Sequence, residues 1–195
     1  MRRSELDADP LRQFLIWFAA AREAGVPVPE TMTLATAAGD GRPSARQVLL
    51  KGSDERGFVF YSGYDSRKGH ELAENPQASL LFHWALMGRQ VRVEGGVERV
   101  SRGESEEYWR TRPLGSRLSA AVSRQSEPVG SREELEARVE ELRAAGEDLP
   151  LPEHWGGYRV EPQAYEFWEH RDDRLHDRFR YTRAGERWTL ERLSP

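Results

Sequence analysis

The residues with the clearest capacity for chemistry lie near the C-terminus, where residues 168–179 read W-E-H-R-D-D-R-L-H-D-R-F. Side chains two apart on a strand share a face, so an extended backbone here would place Arg174, His176 and Arg178 together. Two guanidinium groups beside an imidazole form an anion-binding surface with one group that titrates near neutral pH. A solvated edge strand carries similar residues, so this stretch alone does not separate a site from a charged surface.

Three further clusters suit a phosphate group. Basic and hydroxyl side chains recur at short spacing as Arg46 with Lys51, as Ser66 with Arg67 and Lys68, and as Tyr108 with Arg112 and Ser116. The second cluster falls at a predicted helix start, where free N–H groups and the helix dipole add to the cations. Each cluster alone is also compatible with an ordinary charged surface. One small phosphorylated ligand needs one or two such clusters, so four clusters indicate two phosphorylated ligands.

Several common catalytic motifs are absent from the sequence. There is no Cys, no G-x-G-x-x-G after a strand, no G-x-x-x-x-G-K-[ST], no H-E-x-x-H and no G-x-S-x-G. The five histidines are scattered, so we expect no metal site. Tyr61, Trp84 and Trp168 lie close to the clusters in sequence and suit a ligand that stacks. Without a triad or a metal, the chemistry would have to come from a bound cofactor.

A mainly antiparallel β fold of the α+β class must position these residues. Alternating apolar residues and turn residues predict strands at 31–37, 43–51, 58–62, 78–86, 90–100, 158–161, 165–168, 174–181 and 188–192, the first three as a meander. Helices are predicted at 9–23, with Leu11, Phe14, Leu15 and Phe18 facing the core, and at about 66–75, 104–112 and 131–145. Adjacent glycines at 95–96 predict a bulge or a sharp bend, and 147–153 is predicted to be a linker.

Length, charge and hydropathy limit the classes of protein to which the chain can belong. A chain of 195 residues fits one domain spanning 1–195, with a short tail at 1–8. A net charge of −4 with 32% charged residues argues against general nucleic-acid binding, which needs a basic excess. No apolar run approaches the roughly 20 residues needed to span a bilayer, and no secretory signal opens the chain. We therefore expect a soluble, cytoplasmic protein with no nucleic-acid or membrane partner.

Taken together, the motifs resemble those of the pyridoxine/pyridoxamine 5′-phosphate oxidase family. The matching segments, which run through nearly the whole chain, are R-Q-V-L-L-K (46–51), F-Y-S-x4-R-K (60–68), N-P-x-x-S-L-L-F-x-W (75–84), R-Q-V (89–91), Y-W-x-x-R-P-x-x-S (108–116), S-R-Q-S (123–126), P-x-x-W-G-G-Y-R-V (152–160), E-F-W (166–168) and R-L-H-D-R (174–178). The most specific signature is R-L-H-D-R together with the earlier W-G-G-Y-R-V.

The resemblance implies an FMN-binding split β-barrel with surrounding helices, which forms a homodimer with FMN at the interface. Carried over by residue, the FMN contacts would be Arg46, Gln47, Val48, Leu49, Leu50, Lys51, Tyr61, Ser62, Arg67, Lys68, Gln90, Gln125, Ser126, Trp168 and Arg178. The substrate contacts would be Lys51, Tyr108, Arg112 and Ser116 around a phosphate, with Arg174 and His176 as the catalytic residues over the ring. Each FMN would contact residues of both chains of the dimer.

The implied reaction oxidises pyridoxine or pyridoxamine 5′-phosphate to pyridoxal 5′-phosphate in vitamin B6 metabolism. A hydride equivalent would pass from C4′ of the substrate to flavin N5, and O₂ would reoxidise the flavin to give H₂O₂. With the amine substrate, water would then hydrolyse the resulting imine and release ammonia. The protein's part would be chiefly to position the two rings. Two alternatives remain open, namely a related flavin oxidase acting on another ring, such as a phenazine-type precursor, and a module that binds FMN or pyridoxal phosphate without turnover.

The sequence departs from the family pattern at a few points. Family members often carry a longer N-terminal segment that contributes an Arg and a Tyr near the substrate, whereas this sequence starts close to its first helix. Ser62 stands where Thr is common, Arg124 where Lys is common, and His83 where Pro is frequent. The first two keep a hydroxyl and a positive charge. The shorter start would alter how the site closes over a substrate.

Overall fold

The computed structural model describes residues 1–146 and 148–195. The linker predicted at 147–153 therefore begins at a residue outside the described part of the chain. Within those ranges the regular structure consists of five α-helices, two short 3₁₀ turns and nine strands. The described ranges hold no helix that combines the length and the apolar character needed to cross a membrane.

The helices are α1 (Pro10–Glu23), α2 (Arg67–Glu74), α3 (Arg102–Thr111), α4 (Leu114–Val122) and α5 (Arg132–Ala144). Four of them begin at a side chain that accepts a hydrogen bond from a free backbone N–H, as helix N-termini require: Asp9, Ser66, Ser101 and Ser131. The predicted starts of α1, α2 and α5 are confirmed. Helix α4 is not among the predicted helices. The sequence indicates Pro113 only as the end of the preceding helix, but Pro113 is also the residue that precedes the first residue of α4.

The strands are β1 (Thr31–Ala37), β2 (Pro43–Leu49), β3 (Gly52–Asp54), β4 (Gly57–Gly63), β5 (Gln77–Trp84), β6 (Arg89–Arg99), β7 (Trp155–Glu169), β8 (Asp177–Ala184) and β9 (Arg187–Arg192). They form one antiparallel sheet in the order β2-β1-β5-β6-β7-β4-β3, with β8 beside β7 and β9 beside β8. The sheet curls into a half-barrel, which confirms the expected split β-barrel with surrounding helices. The first four strands are two separate hairpins, so the predicted opening meander is wrong.

Strand β7 connects the two parts of the sheet. Predicted as two short strands, it is one strand of 15 residues that pairs with β6 on one side and with β4 and then β8 on the other. The register with β6 shifts at Gly95, where an added β-carbon would collide with the carbonyl of Glu161. The predicted bulge is therefore confirmed. Only glycine fits at this close approach, and the bulge bends the strand locally.

The core lies between α1 and the concave face of the sheet. Phe14 is fully buried, with its ring centroid 4.9 Å from those of Phe58 and Phe82. Leu15 is 42% exposed, so its predicted place in the core is wrong, and the buried hydrophobic residues of α1 are Phe14, Trp17, Phe18 and Ala21. Trp84 is also buried in this core, so the prediction that it stacks on a ligand is wrong.

The C-terminal motif is not the strand that its spacing indicated. β8 begins at Asp177, and Arg174 lies in the preceding turn with a left-handed φ of +67°. His176 lies immediately before the strand. Because Arg174 and His176 are outside the strand, the two-residue alternation that would place them on one face with Arg178 does not apply.

Candidate active site

A cleft of about 740 Å³ opens beside β2, β4, the start of α2 and the α3–α4 connection. It brings together three of the four phosphate-suited clusters, although they come from distant parts of the sequence. The predicted site residues that line it are Arg46, Gln47, Val48, Leu49, Lys51, Tyr61, Ser62, Arg67, Lys68, Tyr108, Arg112, Ser116, Gln125 and Ser126. The folding of the chain has thus gathered most of the predicted ligand contacts into one concave surface.

Lys68 forms one end of the cleft. Its ammonium donates hydrogen bonds to Ser62 Oγ at 2.9 Å, Ser66 Oγ at 2.9 Å and Gln125 Oε1 at 2.8 Å. The side chain is only 6% exposed. Burial lowers the pKa of Lys68 to about 8, and the positive charge of Arg46 acts in the same direction. No carboxylate among the described residues contacts this buried ammonium, so it is well suited to receive an anion.

Arg46 and Arg67 stand beside Lys68 and share one carboxylate. Arg46 Nη2 lies 3.1 Å from Glu71 Oε2, and Arg67 Nε lies 2.9 Å from Glu71 Oε1. Arg46 Nη1 also donates to Thr36 Oγ1 at 2.5 Å. Arg46 and Arg67 are therefore oriented from behind by Glu71, while Arg67 remains 64% exposed at the cleft.

The other end of the cleft is aromatic and cationic. The rings of Tyr61 and Tyr108 stack with centroids 3.9 Å apart and planes 14° apart. The guanidinium of Arg112 lies 4.6 Å from the ring centroid of Trp155, and its Nη2 donates to the Ser116 carbonyl at 2.9 Å. Arg112 Nε is buried and has no hydrogen-bond partner among residues 1–146 and 148–195. Tyr108 and Arg112 do not share a helical face, because Arg112 is the extended residue that ends α3.

The remaining predicted residues lie elsewhere on this chain. Trp168 is at the end of β7, and its ring centroid is 4.7 Å from that of His176. Arg171 donates its backbone N–H to His176 Nδ1 at 3.0 Å, which leaves Nε2 as the nitrogen that carries the proton in the neutral ring. Arg174 is exposed in the same loop. Trp168, Arg174 and His176 thus form a C-terminal patch that does not line the cleft.

Gln90 and Arg178 flank Trp168 in the sheet, each paired with it in register across β6 and β8. Arg178 Nε donates to Glu166 Oε1 at 2.8 Å. Both residues alternate with buried core residues, so they face away from the core. Leu50 does not line the cleft, because its side chain is only 7% exposed and packs in the core.

Trp155 and Glu71 lie in or behind the cleft and are not among the predicted site residues. Trp155 stacks near Tyr61, and Glu71 holds Arg46 and Arg67. The sequence offered a signal for Glu71, because Arg67 and Glu71 are four apart on the predicted second helix and would pair there. Trp155 precedes the predicted strand at 158–161 and gave no such signal, since β7 starts earlier than its alternation indicates.

The donor set of the cleft fits a phosphorylated flavin. A phosphate needs cations and N–H or O–H donors, and Lys68, Arg46, Arg67 and Ser62 supply them at one end. Arg112 and Ser116, which also line the cleft, offer a second place for an anion. Burial raises the pKa of Tyr61, so this phenol stays a neutral donor. The described residues contain no group of three or more side chains placed to hold a metal ion.

Solved structures define the class of protein to which this architecture belongs. The chain superposes with a TM-score of 0.77 on a pyridoxamine 5′-phosphate oxidase-related, FMN-binding protein from Nostoc punctiforme, at 18% identity over 97% of this chain and all of the other. It superposes with a TM-score of 0.93 on PhzG from Burkholderia lata, solved with tetrahydrophenazine-1-carboxylic acid, at 38% identity over 97% of this chain and 94% of PhzG. The fold is therefore that of the split-barrel proteins.

The chain belongs to the pyridoxamine 5′-phosphate oxidase family. Residues 18–146 match the pyridoxamine 5′-phosphate oxidase family model, and residues 155–195 match the pyridoxine 5′-phosphate oxidase C-terminal dimerisation region. The chain is 58% identical over 190 residues to the pyridoxine/pyridoxamine 5′-phosphate oxidase of Bordetella petrii, covering 96% of this chain and 90% of that protein. The Rubrobacter xylanophilus protein of the same name is 56% identical, covering 97% and 88%. This is a family of oxidoreductases, and its C-terminal region indicates a homodimer.

Proposed function

We propose that the protein is an FMN-dependent oxidase that converts pyridoxine 5′-phosphate or pyridoxamine 5′-phosphate to pyridoxal 5′-phosphate, with O₂ as the electron acceptor. The observation that carries this proposal is the presence of two anion-suited groups in one cleft, Lys68 with Arg46 and Arg67, and Arg112 with Ser116. One group suits the phosphate of FMN and the other the phosphate of the substrate. Relatives with more than half of their residues identical carry the name of this oxidase.

Bound in the cleft, FMN would supply the two-electron acceptor that the side chains of this chain lack. Lys68, Arg46, Arg67 and Ser62 would hold the flavin phosphate, and the β2 residues 46–49 with Lys51 would lie along the flavin. Tyr108, Arg112, Ser116 and Lys51 would hold the substrate phosphate. Fixing both phosphates aligns two ligands for reaction, which is mainly a positioning effect.

Arg174 and His176 would act over the substrate ring, and they require a second copy of the chain. They lie with Trp168 and Arg178 in the matched dimerisation region, 155–195, whereas the cleft is built from residues of the first region, 18–146. We infer that each site of a homodimer combines the cleft of one chain with the C-terminal patch and Gln90 of the other. His176 would present its Nε2 proton, since Nδ1 is held by Arg171.

A phenazine-type oxidase is the second candidate, because the chain superposes closely on PhzG solved with a phenazine carboxylic acid. The substrate-phosphate residues argue against it. A substrate without a phosphate would not need Lys51, Tyr108, Arg112 and Ser116 together. The substrate phosphate therefore separates the two candidates.

The deciding experiment compares substrates with and without phosphate. The purified chain should show a flavin spectrum and form pyridoxal 5′-phosphate and H₂O₂ in air from the two phosphorylated substrates, but react poorly with pyridoxine and pyridoxamine themselves. Arg112→Ala should reduce that preference. Arg110→Ala is the matched control, because Arg110 is a largely exposed arginine on the preceding helix, α3.

The outcomes separate the candidates. A chain that cannot bind FMN contradicts the whole proposal. A yellow chain that oxidises tetrahydrophenazine-1-carboxylic acid and neither phosphorylated substrate favours a PhzG-like activity. A yellow chain with no turnover favours a binding module.

A further inference from the structure

Glu71 is a buried carboxylate behind the cleft that connects three elements. It is 5% exposed and lies on α2. Its Oε2 accepts hydrogen bonds from Thr36 Oγ1 on β1 at 2.5 Å and from Ser44 Oγ on β2 at 2.6 Å. The two carboxylate oxygens also contact the guanidinium groups of Arg46 and Arg67, at 3.1 and 2.9 Å. One side chain therefore orients both arginines that face the proposed flavin phosphate.

The charge of Glu71 persists at neutral pH despite its burial. Burial opposes ionisation, but the hydrogen bonds that the carboxylate accepts outweigh this and lower the pKa of Glu71 to about 2. Among the described residues, Lys68 makes no direct contact with a carboxylate, although the negative charge of Glu71 raises the pKa of Lys68 and so favours its ammonium form. Without Glu71, the guanidinium groups of Arg46 and Arg67 would lose the carboxylate that they share.

We propose that Glu71 is a positioning residue that holds Arg46 and Arg67 for the phosphate of the bound flavin, an inference that rests on the proposed function. Arg67 contacts Glu71 through Nε, which leaves its two terminal nitrogens for a ligand. Arg46 is fixed from behind by Thr36, Ser44 and Glu71. Arginines fixed in advance lose less side-chain freedom when a phosphate binds.

If Glu71 positions the two arginines, its replacement should change FMN affinity in the opposite direction from the one that charge repulsion alone predicts. Removing a negative charge beside a phosphate site should strengthen phosphate binding if Glu71 only repels the ligand. If Glu71 positions the arginines and sustains the charge of Lys68, Glu71→Gln should weaken FMN binding about tenfold or more, as the loss of charge-assisted contacts does. The affinity for riboflavin, which has the same ring system and no phosphate, should change little.

The experiment measures both affinities by flavin fluorescence with the full-length chain freed of flavin. The ratio of the FMN and riboflavin affinities should fall about tenfold or more in Glu71→Gln. The ratio should stay at the wild-type value in the control variant Glu74→Gln. Glu74 is an exposed carboxylate three residues later on α2, and its one hydrogen bond within the described residues is accepted from the Gly39 N–H. An unchanged or raised ratio in Glu71→Gln overturns the proposal, as does an equal loss for both flavins.

A second variant allows the proposal to be tested even if Glu71→Gln does not fold. Thr36→Val keeps every charge and removes both the 2.5 Å hydrogen bond that Thr36 Oγ1 donates to Glu71 and the one that it accepts from Arg46 Nη1. It should lower the same ratio by about two- to tenfold, and an unchanged ratio overturns the proposal. A wild-type chain that binds FMN no better than riboflavin contradicts the proposed phosphate site itself, and the role of Glu71 fails with it.

Discussion

Lys68 is the side chain whose protonation the cleft controls most closely. In the free protein, burial and Arg46 lower its pKa to about 8 from the ordinary 10.5. A phosphate bound beside it would stabilise the ammonium and raise that pKa again. Above about pH 8, binding must therefore take up a proton, and affinity must fall as the pH rises.

We expect the FMN affinity to be nearly constant from about pH 7 to 8 and then to fall by up to about tenfold per pH unit, as one-proton linkage requires. Fluorescence titration over this range measures it. Lys68→Met should bind more weakly and lose most of the dependence, because no ammonium remains to be protonated. A wild-type affinity that does not change above pH 8 would show that Lys68 does not contact the phosphate.

Arg174 is expected to act on turnover and not on cofactor binding. Arg174→Ala should lower kcat by about 10²-fold, as the loss of one positioned charge near a reacting ring does, with little change in FMN affinity. Steady-state kinetics and flavin titration measure the two effects. Arg187→Ala is the control, since Arg187 is an exposed arginine on β9. Equal losses in turnover and affinity would contradict the assignment of Arg174 to the substrate.

Arg46 is expected to act on FMN binding and not on turnover. Arg46→Ala removes a cation beside Lys68 and should weaken FMN binding about ten- to a hundredfold, while kcat at saturating FMN stays near the wild-type value. Arg42→Ala provides the comparison, because Arg42 is exposed and precedes β2 in the same hairpin. Retention of FMN by Arg46→Ala to the wild-type extent would show that its proposed role is wrong.

At the scale of elements, the start of α2 links fold stability to the site. Ser66 Oγ accepts from the Gly69 N–H at 3.3 Å and from Lys68 Nζ at 2.9 Å, so it caps the helix and orients the lysine. Ser131 caps α5 in the same way, accepting from the Glu134 N–H at 3.2 Å, but α5 is a solvated helix whose residues are all at least partly exposed. A comparison of the two serines therefore distinguishes the effect of helix capping on stability from the effect of Ser66 on ligand binding.

Ser66→Ala and Ser131→Ala should each lower the free energy of unfolding by about 1 kcal/mol, the usual cost of a lost N-cap. Only Ser66→Ala should also weaken FMN binding, because Lys68 loses a hydrogen-bond partner. Denaturant unfolding and flavin titration give the two values for each variant. An equal effect of both variants on FMN binding would contradict the role of Ser66 in the cleft.

The elements also show what the sequence could and could not establish. Helix starts near residues 9, 66 and 131 and the bulge at Gly95 are predicted from local signals, and the structure confirms them. The continuity of β7 was missed because Pro162 and the bulge interrupt its alternation, although its neighbours pair along its full length. The end of the chain was misread for a different reason. Arg174 adopts a left-handed turn conformation that its side-chain pattern does not reveal.

At the scale of the whole molecule, the predicted contacts divide into the cleft and the C-terminal patch. Sequence spacing grouped residues within each part but could not show that Arg174 and His176 lie outside the cleft of the same chain. The pairing of distant segments decides which residues meet, and the local pattern carries no information about a second chain. With the exception of Gln90, the division between the cleft and the C-terminal patch follows the two matched family regions, which supports a site shared between two copies.

Complementation between two impaired variants tests the shared site most directly. Arg112→Ala damages the cleft, and Arg174→Ala damages the C-terminal patch. In a hybrid dimer with one chain of each kind, one site would carry both changes and the other would carry neither. Hybrids isolated with two different affinity tags should form pyridoxal 5′-phosphate at about half of the wild-type rate, because one of two symmetric sites is intact. Hybrids no more active than the two parent variants would show that the cleft and Arg174 do not meet across a dimer.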